Sequence, residues 1–149
     1  MEIKITTKTA EETMAVGEKL AKSIFSPCVI SLAGDLGAGK TTFSKGFARG
    51  LGISENITSP TFTLMNEYTG EKFRLFHFDL YRLEDTEEFR ASGFEEYFDL
   101  SQLKDITVVE WASNCPGILP ARHIEINISK PNIDSPDERV ISITPKGLV

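Results

Sequence analysis

The sequence predicts an α/β fold, a central mixed and mostly parallel sheet with flanking helices, on three observations. Strand-like and helix-like segments alternate along much of the chain. An internal run, "ITVVEWA", is almost continuously apolar, as a strand covered on both faces is. A second apolar run, "CVISLA", passes through the glycine-rich "GDLGAGKTT" into the helical pattern "FSKGFARGL". The 149 residues are read as one domain spanning 1–149, long enough for one substantial core.

The elements follow in order. "EIKIT" alternates apolar and polar residues as a short strand. In "TKTAEETMAVGEKLAKSIF", Thr9 and Glu12 have capping-box spacing, and Val16, Leu20 and Ile24 recur at i+4 as the apolar stripe of a helix. "CVISLA" reads as a buried strand. A helix is expected from Lys40 to Leu51, with Phe43, Phe47 and Leu51 facing inward. After the loop "GISENITSP", the runs "TFTLMNEY" and "KFRLFHFDLYRL" flank "TGE" as a hairpin with a glycine turn. "DTEEFRASG" offers Asp85 as N-cap, Glu88 three residues on, and Gly93 as a stop. "HIEINIS" and "RVISITP" alternate at period two, and the turn-rich "KPNIDSPDE" connects them.

Composition narrows the function. Hydrophobic residues make up 40% and charged residues 26%, as in an ordinary globular protein. A net charge of −6 argues against a broad basic face for nucleic acid, so any RNA is expected to be reached through partners. Cys28 and Cys115 lack C-x-x-C spacing, which points away from a zinc site or a disulfide framework. Cys28, opening a strand, reads as a small core residue. No apolar run is long enough for a membrane span and "MEIKITTKTAEE" does not pattern as a signal peptide, so a cytoplasmic location is expected.

Gly34 to Thr41 fits G-x-x-x-x-G-K-S/T at every fixed position. Glycines let successive backbone N–H groups turn toward phosphate, where a side chain would block the approach. The segment Asp35, Leu36, Gly37, Ala38, Gly39, Lys40, Thr41 and Thr42 is therefore expected to bind a nucleotide in a P-loop NTPase-like fold. Lys40 would reach the β- and γ-phosphates, Thr41 would ligate Mg²⁺, and the following helix would point its positive end at the anion.

Two further strands end in an acid: "RLFHFD" at Asp79 and "ITVVE" at Glu110. An unpaired carboxylate is costly to bury there, and beside a phosphate loop both acids read as functional. The uniformly apolar strand of Glu110 marks it as central and gives it the better claim to the metal. Asp79, on a strand that reads as more alternating, would position water, sense the γ-phosphate or act as base. His77, two residues earlier, is either a packed strand histidine or a part of the site. Trp111 is either core packing or a wall beside the nucleotide, and His123 reads as structural. Ser59, Pro60, Thr61 and Phe62, in "SPTFTL", stand where a nucleotide-sensing switch segment would. If the first strand runs parallel to the strand before the phosphate loop, the turn Thr7 to Ala10 emerges on the nucleotide edge.

With "GDLGAGKTT", "SPTFTL", "HFDLYRL" and "VVEWA" in this order, the chain resembles the bacterial TsaE (YjeE) family of ATPases of tRNA threonylcarbamoyladenosine biosynthesis. The likeness covers roughly Cys28 to Trp111. It implies a compact α/β ATPase using ATP and Mg²⁺, needed for N6-threonylcarbamoyladenosine beside the anticodon. It also implies that the carbamoyl transfer belongs to a partner TsaD–TsaB complex. Carried over, Lys40 would bind phosphates, Thr41 and Glu110 would hold Mg²⁺, and Asp79 would serve hydrolysis. Ser59 to Phe62 would form the switch-like loop, and Trp111 would lie near the nucleotide. Weak hydrolysis alone and stimulation by the partner pair are expected, with Arg82 or a partner residue completing the charge.

A small-molecule or nucleoside kinase is the alternative. It would need an acceptor pocket and a basic lid, for which "DTEEFRASGFEEYF" is the available segment. A binding switch reset by hydrolysis shades into the first reading. A GTPase is disfavoured, since the chain lacks the N-K-x-D guanine motif.

Overall fold

The computed structural model describes residues 1–35, 37–58, 60 and 63–147. Its elements are β1 (Ile3–Thr7), α1 (Ala10–Lys22), β2 (Cys28–Ala33), α2 (Lys40–Gly50), β3 (Met65–Thr69), β4 (Arg74–Asp79), α3 (Thr86–Ala91), β5 (Ile106–Glu110), β6 (His123–Ser129) and β7 (Arg139–Lys146). Short 3₁₀ turns follow at Glu95–Phe98 and Ala112–Asn114.

The described strands form one seven-stranded sheet in the order β1-β7-β6-β2-β5-β4-β3. The central four, β6, β2, β5 and β4, are parallel, and the outer pairings are antiparallel. Two antiparallel steps through β7 return β1 to the direction of β2. Its exit turn therefore reaches the edge where the phosphate loop emerges.

Local chemistry sets the elements. Thr9 caps α1 by accepting the Glu12 N–H at 3.1 Å, and the Glu12 carboxylate accepts the Lys8 N–H at 2.7 Å. Asp85 caps α3 in the same way on Glu88, and Gly93 beyond its end has φ +83°. The β3–β4 hairpin closes with Gly70 donating to Phe73.

Helix α1 departs from its expected face. Its buried positions are Thr13, Gly17 and Ala21, while Val16, Leu20 and Ile24 flank that face and pack on the core only in part. Glycine contacts explain the shift, because a methyl at Gly17 or Gly46 would overlap backbone of the opposite helix. The helix axes approach too closely for larger residues at the contact.

Two apolar clusters cover the sheet. One, on the α1–α2 face, includes Ile30, Leu32, Phe43, Phe47, Leu75, Ile106 and Val108. The other packs Val29, Phe76, Phe78, Phe89, Phe98 and Val109 on the opposite face. Strand β4 contributes to both, so its residues Leu75 to Phe78 are all buried. This corrects the reading of a more alternating strand: β4 lies inside the sheet, between β5 and β3. Period-two alternation then places Leu75, His77 and Asp79 on the α2 face. Cys28 is half-buried, and burial pushes its thiol up to about 11.

Candidate active site

Strands β2, β5 and β4 end in register, with Leu32 beside Glu110 and Glu110 beside Asp79. Their carboxyl ends form the edge at which parallel α/β sheets bind ligands. The phosphate loop leaves β2 here. Gly34, Gly37 and Gly39 take φ of +155°, +78° and +105°, and the last two lie in the left-handed region that favours glycine. Gly39 caps α2 with no side-chain acceptor, which leaves the first-turn N–H groups of α2 without a side-chain cap and open to an anion.

Lys40, Thr41, Thr42, Gly37, Gly39, Pro60, Asp79, Glu110 and Trp111 line one cleft of about 590 Å³, joined by Tyr81, Arg82 and Arg139 among others. Asp35 lies in an adjoining cleft of about 720 Å³, which Lys40 and Trp111 also border. Ala38 is buried and presents its carbonyl to Arg139. Leu36, Ser59, Thr61 and Phe62 lie outside the described residues.

The polar centre is buried. Lys40 Nζ lies 3.7 Å from Glu110 Oε1, and both side chains are under a tenth exposed. On its other oxygen, Glu110 meets His77 Nε2 at 2.7 Å. Since an ionised carboxylate only accepts, His77 Nε2 is the donor of this pair. Nδ1 and Ser44 Oγ are both buried without a protein partner, and both side chains border a cavity of about 10 Å³ behind α2.

Asp79 stands directly across from Glu110, and its Oδ1 accepts the Tyr81 N–H at 3.0 Å. Burial holds its carboxyl above the usual carboxylate range. The Tyr81 N–H works against that rise, and the charge of Glu110 adds to it.

Trp111 is bulky yet left-handed, at φ +61°, a conformation that costs about 1–2 kcal/mol for an L-residue. Contacts hold it there: Lys40 Nζ sits 4.6 Å from the ring centroid, and Tyr81 meets the ring edge-on at 5.0 Å. Asn114 Nδ2 donates to the Leu80 and Tyr81 carbonyls at 3.0 and 3.1 Å, tying the segments after β4 and β5 together. His123 accounts for itself by bonding the Pro120 carbonyl through Nδ1 at 2.8 Å.

Comparison with known proteins places the chain in a family. Residues 7–141 match the family model for threonylcarbamoyl adenosine biosynthesis protein TsaE. The chain belongs to the TsaE family. A TsaE of Bacillus subtilis is 41% identical over 146 residues, covering 98% of this chain and 87% of that protein. A TsaE of Haemophilus influenzae is 44% identical over 100 residues, 67% of this chain and 61% of that protein. Both bear the name tRNA threonylcarbamoyladenosine biosynthesis protein. The crystal structure of Bacillus subtilis YdiB superposes with a TM-score of 0.78 at 37% identity, covering 99% of this chain and 87% of that one. The TsaE-type, P-loop NTPase-like fold thus extends across β6 and β7, where the sequence carries no motif.

Two side chains of the site escape sequence reasoning. Arg139 opens a period-two strand 101 and 102 residues from the loop positions it touches, and nothing in that pattern sets it apart. His77 was visible as a residue, but its bond to Glu110 needs the β4–β5 pairing.

Proposed function

We propose that this chain is a Mg²⁺-dependent ATPase that serves threonylcarbamoyladenosine formation on tRNA, acting on a separate carbamoyl-transferring TsaD–TsaB type complex. One observation carries the reading: Lys40, Asp79 and Glu110 converge from three elements on one cleft at the end of the phosphate loop.

Lys40 binds the β- and γ-phosphates, and its pairing with Glu110 keeps the ammonium poised before nucleotide arrives. Backbone N–H groups from Gly37 to Thr42 receive the phosphate oxygens. Glu110 and the Thr41 hydroxyl are the Mg²⁺ ligands. One carboxylate and one hydroxyl suit an ion that keeps several waters and completes its shell with phosphate oxygens. Among the described residues no cluster of three or more carboxylate, histidine or cysteine side chains competes for a metal. Bound there, Mg²⁺ neutralises charge on the transferred phosphoryl group. Asp79 orients the attacking water and takes its proton, a role favoured by a carboxyl held above its usual range. Arg82, also in the cleft, supplies positive charge to the γ-phosphate. Trp111 walls the nucleotide, and Ser59 to Phe62 form the segment that responds to it.

The kinase alternative loses its lid. Phe89 and Phe98 of the segment that would cover an acceptor are buried in the second core, where they meet each other and Phe78. The protein acts in the cytoplasm and reaches tRNA only through the partners. No described helix is long and apolar enough to cross a membrane. The test is ATP hydrolysis with and without the TsaD–TsaB pair, with modified tRNA measured in parallel. Weak turnover alone, stimulation by the pair and ATP-dependent modification support the proposal. Vigorous turnover indifferent to the pair refutes it.

A further inference from the structure

We propose that Arg139, the first residue of β7, is a positioning residue that braces the phosphate loop from the β7 side of the cleft, whose wall it joins. The inference rests on the ATPase reading above. Its guanidinium bridges two backbone segments. Nη1 donates to the carbonyls of Pro136 and Glu138 at 2.7 and 2.8 Å, which fixes the group on its own strand. Nε then donates to the Ala38 carbonyl at 2.7 Å, and Nη2 to the Gly37 carbonyl at 3.4 Å. Every one of these acceptors is a main-chain oxygen.

The consequence follows from peptide geometry. In a trans peptide the C=O and the following N–H point in opposite directions. Holding the Ala38 carbonyl toward β7 therefore turns the Gly39 N–H away from β7, toward the phosphate side of the loop. Gly39 fits the same arrangement. A Cβ there would sit 3.4 Å from Arg139 Nε, and the φ of +105° already disfavours one. That distance is ordinary van der Waals contact, so it is the φ, and not the brace, that calls for glycine here.

A loop with this many glycines samples many conformations when untethered. The other described ties within it are few, Ala38 N–H to the Asp35 carbonyl and Phe43 N–H to the Gly39 carbonyl. A planar, permanently charged fork that binds two loop carbonyls reduces the ordering that phosphate must otherwise impose. Lysine cannot substitute, because a single ammonium cannot hold both backbone segments in one geometry.

Binding of ATP to the full chain, followed by calorimetry and by fluorescence of its single tryptophan, tests the proposal. Arg139→Ala and Arg139→Lys are expected to bind ATP at least about ten-fold more weakly. Their nucleotide-free thermal midpoints should stay within about 5 °C of wild type. Millimolar guanidinium should restore much of the affinity to Arg139→Ala, which a merely structural residue would not show. Wild-type affinity in a folded Arg139→Lys overturns the brace, as does failure of guanidinium to restore a folded Arg139→Ala. If Arg139→Ala does not fold, Arg139→Lys alone decides. Lys40→Ala is measured alongside. Full ATP binding by Lys40→Ala would sink the phosphate-loop reading and the brace with it. Loss in Lys40→Ala with none in the Arg139 variants would sink the brace alone.

Discussion

His77 Nε2 lies 2.7 Å from Glu110 Oε2, so a neighbouring strand holds the carboxylate at the end of β5 in place. Both side chains are almost fully buried, and Lys40 takes the other oxygen. On the proposed function Lys40 turns to phosphate, and the histidine bond is then the contact that keeps Glu110 oriented.

His77→Phe is expected to destabilise the protein by about 3 kcal/mol, since it strips a donor from a buried charge. His77→Gln keeps an N–H for the carboxylate and should recover part of the loss. Urea unfolding of the three proteins checks this. Equal stability of wild type and His77→Phe would show that the bond contributes nothing.

Asp79 gives a prediction in the opposite direction. Its folded carboxyl is held above the usual carboxylate range, chiefly by burial. Protonation therefore stabilises the folded state. That stabilisation is complete below the unfolded value and is lost as pH rises through the folded one. At neutral pH the ionised group is a net cost. Asp79→Asn, which retains an oxygen for the Tyr81 N–H, should be more stable than wild type at pH 7 without nucleotide. The gap should narrow as pH falls toward 4. A less stable Asp79→Asn at pH 7 would contradict the burial argument.

Gly46→Ala tests the contact between α1 and α2. Alanine gains roughly 1 kcal/mol of helix propensity over glycine. The added methyl would overlap the Met14 backbone, and overpacking costs roughly 1–3 kcal/mol. Overlap with backbone cannot be relieved by a rotamer change, so net destabilisation is expected by thermal denaturation. A rise in midpoint would mean that the helices separate freely.

Much of this architecture was legible because local signals and tertiary demands coincide. The caps at Thr9 and Asp85 and the inward Phe43 and Phe47 lie where spacing put them. So does the wholly buried β5. The phosphate loop and the strand-end acids were legible for the same reason: their positions are fixed by chemistry along the chain. What sequence could not supply was lateral order. The burial of β4 depends on β3 beyond it, and the buried face of α1 depends on glycines in another helix. The Glu110–His77 bond depends on strand register. Arg139 was the least legible, since its partners are main-chain carbonyls that carry no residue code.

In the proposed function Glu110 and Asp79 divide the labour across one cleft, and Mg²⁺-dependent ATP binding measured beside turnover tests that division most directly. Glu110→Ala should lose Mg²⁺-dependent ATP binding. Asp79→Asn should bind ATP with Mg²⁺ as wild type does and lose partner-stimulated hydrolysis by about a hundred-fold or more. Equal loss of binding in both variants, or wild-type turnover in Asp79→Asn, would contradict it.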